Sequence, residues 1–435
     1  MKIVHFNTFD QNGGAAMAAY QLHKLFNQTD NMESLMLVRY KSSQDPSVIG
    51  INGGFFNGKF FQHLLRNPLT YFVFGKIKRL LKKINRYEIL NVFNSNESPV
   101  DFESIKPHIE STDFIFIHWT DGFLTPKLIN HIQKYSGARI IWIMQDLEPI
   151  TGGCHYPGAC PGFKNSCGKC PQLKSDKAND RSRKIWENKR KYLSDLELYF
   201  IGTSSWVESK IKESSLFKNR PVEKIFLNID ENIFKKINKS LARKNLNLPI
   251  ENKIIFFGSQ DFQDERKGMD YLIKSLENLK KTLSFEQEKS ILLVSAGREI
   301  PSLNHIFKHT HLGWIQDIKK LALAYQSANV FASPSIEDAG PIMVNQSIAC
   351  GTPVVAYNIG IAPDLIIPGV NGYCTENFKY ENFSDNLQTV LFKENKDGTK
   401  NSTQVCTNDI IIRHYLDFLN KLLQDKINEK NTEKN

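Results

Sequence analysis

Short apolar runs alternate with segments of helical periodicity along most of the chain, and this alternation limits the possible folds more than any other feature. Polar turns bound the runs, as in parallel strands joined by crossover helices. Before residue 230 the runs lie at 2–6, 34–38, 114–117, 139–143 and 198–201, and after it at 253–257, 291–295, 330–332 and 353–356. The sequence therefore predicts an α/β protein with two successive parallel-sheet domains.

The joint between these domains is predicted near residues 230–250. We expect an N-terminal Rossmann-like domain over 1–235 with a cysteine-rich loop at 151–172, and a C-terminal Rossmann-like domain over 236–405. An amphipathic helix is expected to occupy 406–424, because apolar residues recur there at helical spacing. The polar residues 425–435 are expected to form a disordered tail.

The charge of the chain favours anionic ligands. The 56 basic and 46 acidic residues give a formal net charge of +10, which suits nucleic acid, anionic lipid or sugar diphosphates. Nucleic acid ranks low, because the basic residues are spread along the chain without a recognised binding module. No apolar run reaches 18 residues, and Asn7 and Asp10 interrupt the N-terminus before any leader-like stretch. The sequence predicts a cytosolic protein.

Two turns carry groups that could hold phosphate. Gly13 and Gly14 separate the first strand from the first helix, where the backbone can approach an anion and a helix N-terminus offers N–H donors. Arg266 and Lys267 stand between a strand and a helix, where two cations could clamp phosphate. The alternatives are an ordinary glycine turn and a solvated helix start.

A third segment, residues 334–356, is the most informative. A strand ends at Pro334, an acidic loop carries Glu337 and Asp338, a helix starts near Pro341, and a new strand starts at Pro353. The loop N–H groups can face a phosphate, while carboxylate and amide side chains can accept hydrogen bonds from sugar hydroxyls. The alternative is an ordinary loop and crossover helix.

This block resembles the nucleotide-sugar motif of retaining family 4 glycosyltransferases, an acidic loop and helix followed by Ala-Cys-Gly-Thr-Pro-Val-Val at 349–355. Other family motifs follow in the expected order, at 13–14, 228–230, 266–268, 312–314 and 363–373. The resemblance covers about residues 1–375. It implies a GT-B architecture, with two Rossmann-like domains facing each other across a cleft and the final helix crossing back to the first domain.

The resemblance also implies residue roles and a reaction. The implied catalytic residues are Lys267, Arg266 and Glu337, with His118 as a candidate to replace a missing family histidine. The implied donor-binding residues are Gly13, Gly14, Asp338, Gly340, Pro341, Ile342, Gln346 and Gly313. The implied enzyme is of hexosyltransferase type, passes a sugar from a nucleoside-diphosphate sugar to a glycan acceptor with retention of configuration, and needs no cofactor.

Two positions depart from the family pattern. Gln346 replaces a glutamate that usually contacts the ribose, and Gln145 replaces the histidine that usually precedes Asp146 on the acceptor side. These changes leave two alternatives open: a catalytically impaired nucleotide-sugar-binding or partner protein, and a GT-B epimerase.

Four of the seven cysteines fall within one glycine- and proline-rich window, at Cys154, Cys160, Cys167 and Cys170. The final Cys-x-x-Cys has the spacing that tetrahedral zinc needs, and two more thiols would complete a closed structural site. Reduced thiols and a conditional disulfide are the alternatives. The window resembles the cysteine loop of colanic-acid, capsule and O-antigen glycosyltransferases, which places it on the acceptor side.

Residues 59–83 interleave cations with Phe, Leu and Ile, and helical spacing would give one basic and one apolar face. This pattern indicates a helix lying on an anionic membrane, with an ordinary surface helix as the alternative. Together with the resemblance, it predicts a role in bacterial surface polysaccharide synthesis with a lipid-linked acceptor, at the inner face of the plasma membrane.

Overall fold

The computed structural model of the protein describes residues 1–51, 98–259, 264–393 and 406–432. The chain divides into two compact units. The first contains Met1–Thr203 and Val207–Lys224, and the second contains Ser204–Trp206 and Ile225–Asn435. The basic segment predicted at 59–83 lies outside the described residues.

The first unit is built on a parallel sheet. Its described strands are β1 (Lys2–Phe9), β2 (Glu33–Tyr40), β3 (Val48–Gly50), β4 (Phe114–Ile117), β5 (Arg139–Met144), β6 (Leu198–Gly202) and β7 (Val222–Lys224). They pair in the order β3-β2-β1-β4-β5-β6-β7. The described helices up to residue 224 are α1 (Gly14–Asn27), α2 (Pro126–Ser136), α3 (Arg181–Leu193) and α4 (Ser205–Glu213).

The second unit also has a parallel sheet. Its described strands are β8 (Lys253–Ser259), β9 (Ile291–Gly297), β10 (His309–His311), β11 (Val330–Ser333), β12 (Val354–Tyr357) and β13 (Gly372–Thr375), in the order β10-β9-β8-β11-β12-β13. The described helices are α5 (Lys239–Asn245), α6 (Met269–Thr282), α7 (Phe285–Ser290), α8 (Ile318–Ser327), α9 (Ile342–Ala349), α10 (Ala362–Leu365), α11 (Tyr380–Gln388) and α12 (Asn408–Thr432).

Local sequence signals explain where these elements begin and end. Every residue of the apolar run in β5 is buried, as expected of a central strand covered on both faces. Helix α2 begins where the Thr125 hydroxyl accepts a hydrogen bond from the Leu128 amide, with Pro126 in the first turn, and it ends at Gly137 with φ 62°. The predicted two-domain α/β organisation is confirmed.

The strand order reverses once in each sheet, between β1 and β4 and between β8 and β11. Open parallel sheets bind ligands beside the carboxyl ends of the strands at such reversals. The Gly13–Gly14 turn follows β1, the Arg266–Lys267 turn follows β8, and the acidic loop follows β11. All three predicted phosphate sites therefore lie where the topology favours a ligand.

The C-terminal helix differs from its predicted extent. Helix α12 continues to Thr432, so residues 425–432 are helical rather than a disordered tail. The apolar pattern stops near Leu423, but lysine and glutamate have high helix propensity and allow the backbone to continue. None of the described helices is long and apolar enough to cross a bilayer.

Candidate functional site

The predicted cation pair and the predicted acidic loop form one site in the second unit. Arg266 and Lys267 lie in a short turn, Glu265–Lys267, and Asp264 begins this turn by accepting a hydrogen bond from the Arg266 amide. The Ile336 amide donates to the Arg266 carbonyl at 2.8 Å, and Arg266 Nη1 donates to the Glu337 carbonyl at 3.2 Å. Two segments 71 residues apart are thus joined at the carboxyl edge of the sheet.

Asp338 occupies the centre of this site. Its Oδ2 accepts from Lys267 Nζ at 2.7 Å, and its Oδ1 accepts from the Gly340 amide at 3.2 Å. The Asp338 side chain is 10% exposed and that of Lys267 is 32% exposed. Arg266 pairs with the Asp264 carboxylate. Both predicted phosphate-binding cations therefore contact carboxylates in this structure.

Two glycines allow the acidic loop to lie close to the segments that follow β8 and β12. Gly268 has φ +67°, and a Cβ there would lie 1.8 Å from the Pro334 carbonyl oxygen. Gly360 has φ +55°, and its Cβ would lie 2.6 Å from the Asp338 carbonyl oxygen. Sequence reasoning did not identify Gly360, although it follows β12 and so lies at the same sheet edge as the acidic loop.

Three predicted donor-binding positions continue the site into helix α9. Pro341 precedes the helix, which begins at Ile342. Gln346 is buried, and its Oε1 accepts a hydrogen bond from the Tyr325 hydroxyl at 3.2 Å. Gly313, a further predicted donor-binding residue, follows β10, and its carbonyl accepts a hydrogen bond from the Gly297 amide at 2.9 Å.

The predicted residues of the first unit also gather at a carboxyl edge. Gly13 has φ 96° and precedes α1, and a Cβ on Gly13 or Gly14 would meet no atom of the described residues within 4 Å. Gln145 follows β5, and its Nε2 donates to the Ala15 carbonyl at 3.0 Å. Its Oε1 is buried and has no hydrogen-bond partner among the described residues. The glutamine thus connects the end of β5 to the glycine turn.

Asp146 contacts a residue that sequence reasoning did not assign to the site. His155 Nδ1 lies 2.6 Å from Asp146 Oδ2, and His155 Nε2 lies 4.0 Å from Asp121 Oδ2. Burial lowers the pKa of His155, but the neighbouring Asp146 carboxylate and then further acidic groups outweigh it and raise the pKa to about 9. The Trp119 ring stacks beside this imidazole. The position of His155 directly after Cys154 was the available sequence signal.

His118, the fourth predicted catalytic residue, lies inside the first unit. It is 3% exposed, and its Nε2 lies 2.9 Å from His5 Nδ1. Burial, followed by the charge of His23, lowers the pKa of His118 to about 3. A neutral imidazole packed in this way fits the packing role that a histidine after a strand often has.

The four cysteines of the loop converge on one small cavity. Cys154, Cys160, Cys167 and Cys170 all line it, and its volume is about 20 Å³, room for about one water molecule. None of the seven cysteines forms a disulfide. Burial raises the pKa of the Cys167 thiol to about 11. Within the described ranges, no three His, Cys, Asp or Glu side chains are already arranged to hold a metal ion.

A buried ion pair holds the start of the cysteine loop. Lys189 on α3 has no exposed side-chain surface, and its Nζ donates to Glu148 Oε1 at 2.6 Å and to the Thr151 carbonyl at 3.1 Å. Burial raises the pKa of Glu148, and the lysine charge opposes that shift. This contact fixes residues 148–151 against the helix.

Sequence comparison with known proteins supports part of the predicted identity. Residues 238–403 match the family model described as glycosyl transferases group 1. A curated relative, D-inositol 3-phosphate glycosyltransferase from Xylanimonas cellulosilytica, is 25% identical over 162 residues, which are 35% of this chain and 37% of the relative. The chain thus matches little more than a third of that relative's length.

Structural comparison covers nearly all of the chain. Sucrose-phosphate synthase from Thermosynechococcus elongatus has a TM-score of 0.63 and 16% identity, covering 98% of this chain and 99% of its own. Anabaena Alr3699/HepE, solved in complex with UDP and glucose, has a TM-score of 0.63 and 13% identity, covering 97% and 100%. At these identities the likeness shows the fold, two Rossmann-like domains of the GT-B type.

Proposed function

We propose that this protein is a glycosyltransferase of hexosyltransferase type that moves a sugar from a nucleoside-diphosphate sugar to a glycan acceptor. The observation that carries the proposal is the Lys267–Asp338 contact of 2.7 Å. It brings a cation and a carboxylate together where β8 and β11 reverse the strand order. Such a site can hold a diphosphate through Lys267 and Arg266, and sugar hydroxyls through the acidic loop.

In the proposed reaction the acceptor hydroxyl approaches from the face that the leaving diphosphate occupies. The bond from the anomeric carbon to the phosphate oxygen breaks, and its electron pair stays on the diphosphate. A diphosphate oxygen takes the acceptor proton as the new glycosidic bond forms, which gives retention of configuration. Lys267 and Arg266 stabilise the charge that develops on the leaving group.

The finer identity that we propose is a surface-polysaccharide enzyme with a lipid-linked acceptor, working at the inner face of the plasma membrane. Its support is the resemblance of the cysteine loop and the basic pattern at 59–83. Flotation with anionic liposomes at low salt tests the membrane contact. If the full-length protein stays in the unbound fraction, the proposed membrane contact is excluded.

Donor hydrolysis and sugar transfer test the main proposal. Lys267→Ala should lower kcat about 10²- to 10³-fold with the fold intact, whereas Lys274→Ala, on the exposed face of α6, should leave it unchanged. Near-normal turnover of Lys267→Ala would refute the clamp. Nucleotide-sugar binding without transfer or hydrolysis would instead indicate a binding protein, and conversion to an isomeric nucleotide sugar would indicate an epimerase.

We further propose that the cysteine loop binds a structural zinc ion. Four thiols lining one cavity of about 20 Å³ support it, because a closed set of sulfur ligands suits zinc and leaves no open position for catalysis. The thiols would have to move closer together around the ion. Protein purified without chelator should contain one zinc per chain, lost in Cys167→Ser/Cys170→Ser and kept in Cys374→Ser. Absence of zinc from the unmodified protein would refute this proposal.

A further inference from the structure

The Asp338 carboxylate contacts a cation that the proposed function assigns to the donor diphosphate and an N–H group of the acidic loop. One is the Lys267 ammonium, and the other is the main-chain amide of Gly340. The two contacts use different carboxylate oxygens, so Asp338 bridges a cation and an N–H donor as a phosphate group would. The carboxylate therefore stands in for the anion that the site is proposed to bind.

We infer that Asp338 is an internal competitor of the diphosphate, and that the transferred sugar decides the outcome of this competition. This inference rests on the proposed function. In this competition a diphosphate oxygen takes the place of the Asp338 carboxylate at the Lys267 ammonium. The released carboxylate is mostly buried, with 10% of its side chain exposed. It keeps the Gly340 amide on Oδ1 but loses its cation on Oδ2, and a buried charge that loses its counter-charge is unfavourable.

A nucleotide sugar and a bare nucleoside diphosphate differ in how they treat the released carboxylate. The nucleotide sugar supplies phosphate oxygens to Lys267 and hydroxyl donors to Asp338, so both groups keep a partner. The bare diphosphate supplies only the oxygens and leaves Asp338 without a replacement donor. The exchange therefore favours the substrate over the product, and the return of Asp338 to Lys267 favours release of the diphosphate after transfer.

The geometry of the turn supports an exchange rather than a rearrangement of the site. Backbone and side-chain contacts from Ile336 and Arg266 hold the turn against the loop independently of Asp338. Gly268 permits their close approach. Breaking the Lys267–Asp338 contact thus requires rotation of two side chains while the backbone stays in place.

The test is calorimetric titration of the full chain with a nucleoside diphosphate and with its glucose conjugate. The base is first chosen by a screen of UDP, GDP and ADP. Asp338→Asn should bind the bare diphosphate about tenfold more tightly. The dissociation constant of the diphosphate divided by that of the nucleotide sugar should therefore fall about tenfold. Glu265→Gln removes an exposed charge from the same turn, and should change neither value more than twofold. In a Lys267→Gln background, Asp338→Asn should no longer tighten diphosphate binding.

The outcomes separate this inference from the proposed function. If the unmodified protein binds nucleotides but Asp338→Asn leaves the ratio unchanged, the competition is wrong and the proposed function stands. If Asp338→Asn tightens diphosphate binding equally with and without Lys267, the substitution acts by removing a negative charge near the anion. The exchange at Lys267 is then also refuted. If the unmodified protein binds none of the nucleotides or their glucose conjugates, the proposed function fails, and the inference fails with it.

Discussion

Three buried histidines in the first unit should each contribute less to stability as the pH falls below neutrality. His5 and His118 contact each other, and His23 bonds to Ser34 and Ser47 through its two ring nitrogens. Burial is the largest cause that lowers all three pKa values, to about 4 for His23, to about 3 for His118 and well below 6.5 for His5. Each ring is therefore neutral in the folded state at a pH where the unfolded chain binds a proton.

The size of the effect follows from proton linkage. The unfolded histidine titrates near 6.5, so stability is complete above that pH and falls as the pH drops towards the folded-state pKa. Between pH 7.5 and 5.5 each neutral ring loses about 1.4 kcal/mol of its contribution, and the three together lose about 4 kcal/mol. For His23 the charges of Asp45 and Lys24 act in opposite directions and leave the pKa low.

Urea unfolding of the unmodified protein and of His118→Gln at pH 7.5 and 5.5 measures the contribution of one ring to this loss. The variant should lose about 1.4 kcal/mol less than the unmodified protein between pH 7.5 and 5.5, because the other titrating groups cancel in the comparison. His131→Gln, which removes an exposed imidazole of the same unit, should follow the unmodified protein. Equal losses in His118→Gln and the unmodified protein would refute the assignment of a neutral buried ring.

Three further substitutions test individual contacts within the two units. Lys189→Met should lower the free energy of unfolding by about 3–5 kcal/mol, because the buried Glu148 carboxylate loses its partner. Thermal unfolding measures this, with Lys191→Met at an exposed position of the same helix as the control. Equal stability of the two variants would contradict the prediction. Gly268→Ala should abolish nucleotide binding while the circular dichroism spectrum stays near native, since the added Cβ would lie 1.8 Å from the Pro334 carbonyl oxygen. Unchanged nucleotide affinity would contradict the close approach of the turn to the acidic loop. Gly14→Ala should keep its melting temperature, because its Cβ would meet no atom within 4 Å in the part of the chain that the structure describes, yet it should lose donor turnover. Full turnover would show that the ligand does not approach this backbone.

The central strands could be predicted from sequence because each is a continuous apolar run. The predicted run at 114–117 coincides with β4, and the run at 139–143 falls one residue short of the end of β5. The edge strands carry no such signal. Strand β10 reads His-Thr-His and β7 reads Val-Glu-Lys, and each is held by pairing with one neighbouring strand rather than by burial on both faces.

The candidate site was predictable in its parts, and the structure adds the contacts among them. Motif resemblance identified Lys267 and Asp338, but nothing in the sequence indicates that one neutralises the other. His155 and Lys189 were missed because their roles depend on tertiary partners, Asp146 and Glu148. Apart from the position of His155 directly after Cys154, neither residue carries a local signal, since histidine and lysine are usually exposed or packed singly.

The hydrogen bond between Ile336 and Arg266 has a consequence for how this protein can diverge. Because it joins the turn after β8 directly to the loop after β11, the length of the surface connections within residues 269–333 does not set the distance between the two motifs. An insertion in the surface connection between α6 and α7 would lengthen the gap between the two motifs without separating them in space. Relatives can therefore carry the same pair of motifs at quite different separations along the chain.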